Sequence, residues 1–137
     1  MNIFIDDMRN PNDAYLHLDT GIHKVSLVEH SGIHQDEWVI VRTYDEFVNC
    51  IIHLGLPDVV SFDHDLHEEH IKHYFTVTQD IGVIEYGNLK EKTGKHCAEY
   101  LVQEWKKQNK PKHIKTFVHS ANRWGQINIK EVLKELR

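Results

Sequence analysis

EWVIVRTYDEFVNCIIHLGLPDVVSFD, residues 37–63, decides the fold. It opens on a β-rich run, EWVIVRT over 37–43. Thr43-Tyr44-Asp45-Glu46 then has the form of a capping box, in which the threonine accepts from free amides of the next turn and the glutamate reaches back. Phe47, Val48, Ile51 and Ile52 follow at helical spacing, and Gly55 with Pro57 ends the helix. DVVSFD, residues 58–63, is a short buried strand.

Outward from this unit, residues 2–5, NIFI, form a strand that runs into Asp6-Asp7, and MRNPND after it is turn chemistry. Residues 23–30 are β-rich, with Ser31-Gly32 between them and 37–43, which fits a hairpin or an extended insertion. Residues 67–92 lack a clean period and read as a long insertion. A second helix starts at Thr93-Gly94, with Cys97, Tyr100, Leu101 and Trp105 on one face, and Pro111 closes it. HIKTFV, residues 113–118, is the next strand, ending in His119-Ser120-Ala121-Asn122. Ile129, Val132, Leu133 and Leu136 stripe a last helix.

Strands alternate with helices from residue 37 onward. The pattern predicts an α/β domain with a mainly parallel sheet covered on both faces. Ligands of such sheets bind beyond the carboxyl ends of the strands. Those ends carry Asp6 and Asp7; Asp63, His64 and Asp65; His119 and Ser120; and Arg42.

The chain has 137 residues, a length that fits one domain. A net charge of -5 argues against a bulk electrostatic grip on DNA or RNA, while leaving room for a local basic pocket. No apolar run reaches membrane-span length, and MNIFIDD lacks the form of a signal peptide, so a cytoplasmic location is expected. Cys50 and Cys97 fall on apolar-periodic segments and read as free thiols. No repeat or low-complexity tract occurs, and nothing indicates the oligomeric state.

Several carboxylates at one edge need a cation, a proton or a basic neighbour. Mg²⁺ or Mn²⁺ suits oxygen ligands and recruits phosphate. The plain alternative is that Asp6-Asp7 starts a turn and Asp65 caps one. His64 and His119 fit an acid/base pair of the kind that opening a cyclic phosphate needs, one activating water and the other protonating the leaving ribose oxygen. His119 also fits a backbone-bonded strand end. Ser120 and Asn122 precede the last helix, where they can hold a phosphate, cap the helix, or both. His67, His70 and His73 fit a zinc site or, as the reading adopted here, a solvated irregular lid over 67–92. Lys90, Lys92 and Lys95 form a small basic run, and Trp124 can stack a base or pack in the core.

IDDMRNP, SFDHDL, EKTGKHCAEYLV and VHSAN-x-x-G together resemble the cyclic-phosphate processing receiver-like domains of bacteria and phages, relatives of two-component receivers. The resemblance covers most of the chain. It implies a receiver-like (flavodoxin-like) three-layer sandwich with at least four strands in the order 2-1-3-4, without the receiver's fifth strand and its lysine. It implies one domain over 1–137, with insertions at about 14–36 and 67–92. It also implies metal-assisted phosphoesterase chemistry on a cyclic phosphate, in RNA repair or nucleotide signalling. The partner is then an RNA 2′,3′-cyclic end or a small phosphate compound such as a cyclic nucleotide. By position, Asp6, Asp7, Asp63 and Asp65 become metal-site residues. His64, His119 and Asp63 become catalytic. Arg9, Ser120 and Asn122 become substrate-binding. One departure is Arg123, where members often carry proline. The alternatives are a non-catalytic nucleotide- or partner-binding module and a degenerate receiver that accepts phosphate on Asp63.

Overall fold

The computed structural model describes residues 1–17, 24–73, 75 and 84–136. Among the described residues, six strands and five α-helices run in the order β1 (Asn2–Ile5), β2 (Tyr15–His17), β3 (Lys24–Ser26), α1 (Leu27–Ser31), β4 (Trp38–Val41), α2 (Tyr44–Leu54), β5 (Val59–Phe62), α3 (Glu68–His73), α4 (Gly94–Lys107), β6 (Lys115–Val118) and α5 (Arg123–Leu133). Short 3₁₀ turns lie between them, among them Tyr86–Asn88.

β4, β1, β5 and β6 form one parallel sheet in that order. Counted along the main sheet alone this is 2-1-3-4, the receiver-like order. The alternation of β-branched runs with capped amphipathic helices specifies a parallel sheet, because each crossover helix must bury its apolar stripe against it. In α2, Thr43 Oγ1 accepts from Glu46 N at 3.1 Å. The Glu46 carboxylate reaches back to Arg42 N at 2.6 Å, one residue before the cap itself.

The two faces of the sheet are covered differently. Ile3, Ile5, Val60, Phe62 and Val118 pack with Phe47 and Ile51 of α2, Leu101 and Trp105 of α4, and Ile129 and Leu133 of α5. Each such side chain stabilises the fold by about 1.5–3 kcal/mol. Phe4 and Trp38 on the other face pack with Ala14, Leu16 and Leu27. That third layer is a two-stranded antiparallel hairpin, β2 with β3, plus the five residues of α1.

The hairpin therefore differs from the one 23–43 suggests. β3 pairs with β2, while β4 pairs in parallel with β1. Ser26 is the reason. Its Oγ accepts from Glu29 N at 3.4 Å and turns LVEHS into helix, which ends at Gly32 with φ 71°.

The expected irregular lid is also revised at its described ends. Residues 68–73 are helical, and His70 is 2 % exposed. Residues 74 and 76–83 of the expected lid lie outside the described residues.

Cys97 is buried, Cys50 is half-buried, and both are free. No helix among the described residues is long and apolar enough to cross a membrane.

Candidate functional site

Register builds the site. Ile5 pairs with Phe62, and Phe62 with Val118. One residue further, Asp6, Asp63 and His119 stand in a row across three strands. The ladder continues to this row, with Asp63 N donating to Ile5 O and His119 N to Phe62 O, each at 2.9 Å. A cavity of about 350 Å³ opens over it, lined by Asp6, Asp7, Arg9, Asp63, Asp65, Ser120 and Asn122 on the polar side. Met8, Ile71 and Phe75 form an exposed apolar rim.

Asp6 is 1 % exposed and accepts four hydrogen bonds. Met8 N (2.9 Å) and Arg9 N (2.8 Å) donate to Oδ1. Arg9 Nε (2.8 Å) and His119 Nε2 (3.1 Å) donate to Oδ2. Burial alone would raise its pKa, but the His119 bond and these amides outweigh burial and hold the carboxyl well below its ordinary range.

Asp63 goes the other way. Burial first, and then the Asp6 charge, push its pKa well above the usual value, against the pull of Arg9. Its Oδ1 accepts from His64 N at 2.8 Å and lies 3.5 Å from Arg9 Nη2. Asp7, half-buried, is raised by burial and by Asp6.

Arg9 is the cation of the acid cluster, and Arg42 fixes the loop that carries it. Arg42 Nη1 donates to Asp6 O (3.1 Å) and Arg9 O (2.6 Å), and Nη2 donates to Asn10 Oδ1 (2.9 Å).

Carboxylate oxygens of Asp6, Asp7 and Asp63 lie within 4.8 Å of one another, the one such metal-capable group among the described residues. An all-oxygen, acidic donor set of this kind fits a hard divalent ion such as Mg²⁺ or Mn²⁺. Asp65 lines the same cavity outside that trio.

Both histidines lie behind the cavity surface. His119 is 0 % exposed, and its ring stacks on Phe4 at 4.5 Å between centroids. Ser61 Oγ lies 2.7 Å from its Nδ1. Ionised Asp6 can only accept, so Nε2 carries the proton and Nδ1 accepts from Ser61. Burial lowers the His119 pKa, against the pull of Asp6. His64 is 1 % exposed, with Nδ1 2.7 Å from Asp65 Oδ1 and Nε2 2.8 Å from the Tyr86 hydroxyl. Each imidazole thus stands between a hydroxyl and a carboxylate. Ser61 and Tyr86 complete these chains, and sequence reasoning passed over both. Ser61 sits in a run that reads as plain buried strand, and Tyr86 is 22 residues from His64.

Ser120 and Asn122 line the cavity while serving the turn before α5. Ser120 Oγ accepts from Asn122 N at 3.0 Å. Asn122 Oδ1 caps α5 through Gly125 N at 2.9 Å, and its Nδ2 donates to Asp65 Oδ1 at 3.2 Å. Trp124, one-third exposed, is not among the lining residues.

His67, His70 and His73 are staples instead of zinc ligands. His67 Nδ1 accepts from Glu69 N, His70 Nδ1 from Leu66 N, and His73 Nε2 from Glu85 N. His70 Nε2 bonds Glu91 O at 2.8 Å and ties α3 to the return segment. Lys92 and Lys95 lie over the rings of Tyr44 and Tyr86, each at 4.4 Å.

The profile of the cyclic-phosphate processing receiver domain matches residues 1–135. No curated protein and no solved structure matches the chain.

Proposed function

The chain belongs to the cyclic-phosphate processing receiver domain family, and from that premise we propose that it is a metal-assisted phosphoesterase that opens a cyclic phosphate. The substrate is an RNA 2′,3′-cyclic end or a cyclic nucleotide. The observation that carries this reading is the row of Asp6, Asp63 and His119, with the Arg9 guanidinium wedged between the two acids. Such a cluster, open to a cavity, is suited to a cation and a phosphate together.

In this reading Asp6, Asp7 and Asp63 hold Mg²⁺ or Mn²⁺, which when bound supplies Lewis-acid polarisation of a phosphate oxygen and a more acidic water. Arg9 and Ser120 bind the phosphate oxygens. Asp65 takes the proton of the attacking water as the new P–O bond forms. The carboxylate is oriented for that task by His64 Nδ1–H and Asn122 Nδ2–H. The ester P–O bond breaks, and the ribose oxygen is protonated from solvent. His119 and His64 act through Asp6 and Asp65, because the ring nitrogens of both are already bonded inside the protein.

A metal-supplemented screen of cyclic nucleotides and RNA 2′,3′-cyclic ends, followed by phosphorus NMR, tests the proposal. A new phosphomonoester signal supports it. Binding without turnover favours the binding-module reading instead. A stable acyl-phosphate on Asp63 after treatment with a small phosphodonor favours the receiver reading. Among the described residues no lysine lines the cavity, which weighs against that last reading.

A further inference from the structure

Tyr86 lies in the stretch that the sequence presents as a loose lid, yet its hydroxyl reaches behind the candidate site. It is 2.8 Å from His64 Nε2. Asn128 Nδ2 donates to the same oxygen at 3.0 Å. An amide nitrogen offers only hydrogens, so the phenol must send its own hydrogen elsewhere. His64 Nε2 is the acceptor it meets. Nε2 then carries no proton, and the neutral ring keeps its proton on Nδ1. That N–H points to Asp65 Oδ1 at 2.7 Å, where Asn122 Nδ2 also donates at 3.2 Å. The chain has one direction throughout: Asn128 to Tyr86, Tyr86 to His64, His64 to Asp65. Asp65 stands at the cavity wall.

The surroundings hold this arrangement in place. A Cβ on Gly125 would come within 2.3 Å of His64 Cγ, so the α5 backbone packs closely against the His64 side chain. Lys95 Nζ lies 4.4 Å over the Tyr86 ring, and His96 meets that ring edge-on at 5.6 Å. The flanking chain is tied to α3 through Glu69, which accepts from Glu91 N at 3.2 Å, and through the bond of His70 to Glu91 O.

We propose that Tyr86 is the positioning residue of the site: its hydroxyl on Nε2, acting together with the Asp65 carboxylate on Nδ1, holds His64 as the Nδ1–H tautomer and thereby aims the Asp65 carboxylate into the cavity. The proposal rests on the phosphoesterase reading only for what Asp65 then does. Fixing a tautomer through the ring nitrogen opposite the functional one is a recognised way to orient a carboxylate–imidazole pair.

The test is Tyr86→Phe, which keeps the ring and its packing and removes one oxygen. Nitrogen-15 NMR of the imidazoles, at one neutral pH in metal-free protein, reads the tautomer directly. Wild type should show His64 with a protonated Nδ1 and a bare Nε2. In Tyr86→Phe the two His64 nitrogens should move toward averaged values, while the His119 pair stays fixed and serves as the folding control. Asn128→Ala perturbs the same spot but leaves the phenol donor, and it should keep the wild-type His64 pattern. With a turned-over cyclic phosphate, Tyr86→Phe should lower kcat by about 10–100-fold, the usual worth of an outer partner to a ligand or acid, with KM nearly unchanged. A wild-type His64 protonated on Nε2, or an unchanged His64 pattern in Tyr86→Phe, would overturn the role of Tyr86. The expected tautomer change in a protein with no turnover would sustain that role and remove the phosphoesterase reading.

Discussion

His119 Nε2 and Asp6 Oδ2 lie 3.1 Å apart with neither side chain reaching solvent. The imidazole is a buried strut for the carboxylate. His119→Ala removes that donor, leaves a buried charge short of a partner, and empties the space beside Phe4. Losing a buried hydrogen bond to a charged group costs about 1.5–3 kcal/mol, before the emptied space is counted. Urea unfolding should show a loss of this order, and a loss below about 1 kcal/mol would contradict the strut.

The pH dependence of the same pair has a definite sign. Asp6 is held well below its ordinary range in the folded protein, so the unfolded chain takes up its proton first as pH falls. The stabilisation is whole above about pH 4, the ordinary aspartate value, and is lost progressively below it. Metal-free wild type should therefore lose stability on acidification more steeply than Asp6→Asn. Parallel acid-unfolding curves for the two proteins would remove Asp6 as the acid-sensitive group.

Asp63 has the opposite sign. Burial and the neighbouring acids raise its pKa, so its ionisation weakens the fold as pH rises through the folded-state value. In chelator, Asp63→Asn should be more stable than wild type at neutral pH by about 0.5–2 kcal/mol, the common gain on relieving a functional site. The gain should shrink toward pH 4. Thermal unfolding of both proteins between those limits checks it, and a neutral-pH loss in Asp63→Asn would show that the charge is compensated.

Arg9 already neutralises part of the cluster, with Nε at 2.8 Å from Asp6 and Nη2 at 3.5 Å from Asp63. A divalent ion must share these acids with it. Removing a unit charge at such range changes cation binding by on the order of 1–4 kcal/mol between water-like and surface-like surroundings. Arg9→Gln should accordingly bind Mn²⁺ about tenfold or more tightly by calorimetry, while Asp63→Asn binds it more weakly. Equal affinity in Asp63→Asn and wild type would take Asp63 out of the metal site.

The parallel sheet and the row of acids are legible because both follow from local signals, whereas the strand order 2-1-3-4 comes only with the family resemblance. Caps, apolar stripes and strand ends recur in phase from Trp38 to Leu133, and parallel register then carries Asp6, Asp63 and His119 to one level. The pairing of β2 with β3 is far less legible, since strands of three residues carry little pattern and a single Ser26 cap redirects the chain. What surrounds each histidine is not legible either. The residue type says that an imidazole can move protons. Its hydroxyl and carboxylate partners, Ser61 with Asp6 and Tyr86 with Asp65, carry no local pattern, since all but Asp65 come from distant parts of the chain.

Gly94 and Gly125 occupy the first turns of α4 and α5, where alanine ordinarily improves a helix by about 0.5–1 kcal/mol. Here the DHD turn fills the space that a methyl group needs. A Cβ on Gly94 would lie 1.7 Å from the Asp63 carbonyl oxygen, and Gly94 N donates to His64 O at 2.8 Å. Backbone stands on both sides of that contact, so α4 must move away from the site. The three atoms nearest to a Cβ on Gly125 all belong to the His64 side chain, Cγ at 2.3 Å, Cβ at 2.6 Å and Cδ2 at 2.7 Å. The ring can swing aside, with a small shift of the His64 Cβ as well, at the expense of its bonds to Asp65 and Tyr86. Overpacking of this kind costs about 1–3 kcal/mol, and more where nothing yields. Gly94→Ala should therefore be the more damaging change, with loss of cooperative thermal unfolding. Gly125→Ala should fold at reduced stability and lose the wild-type His64 imidazole signals. A Gly94→Ala protein as stable as wild type would mean that α4 does not dock against Asp63 as described.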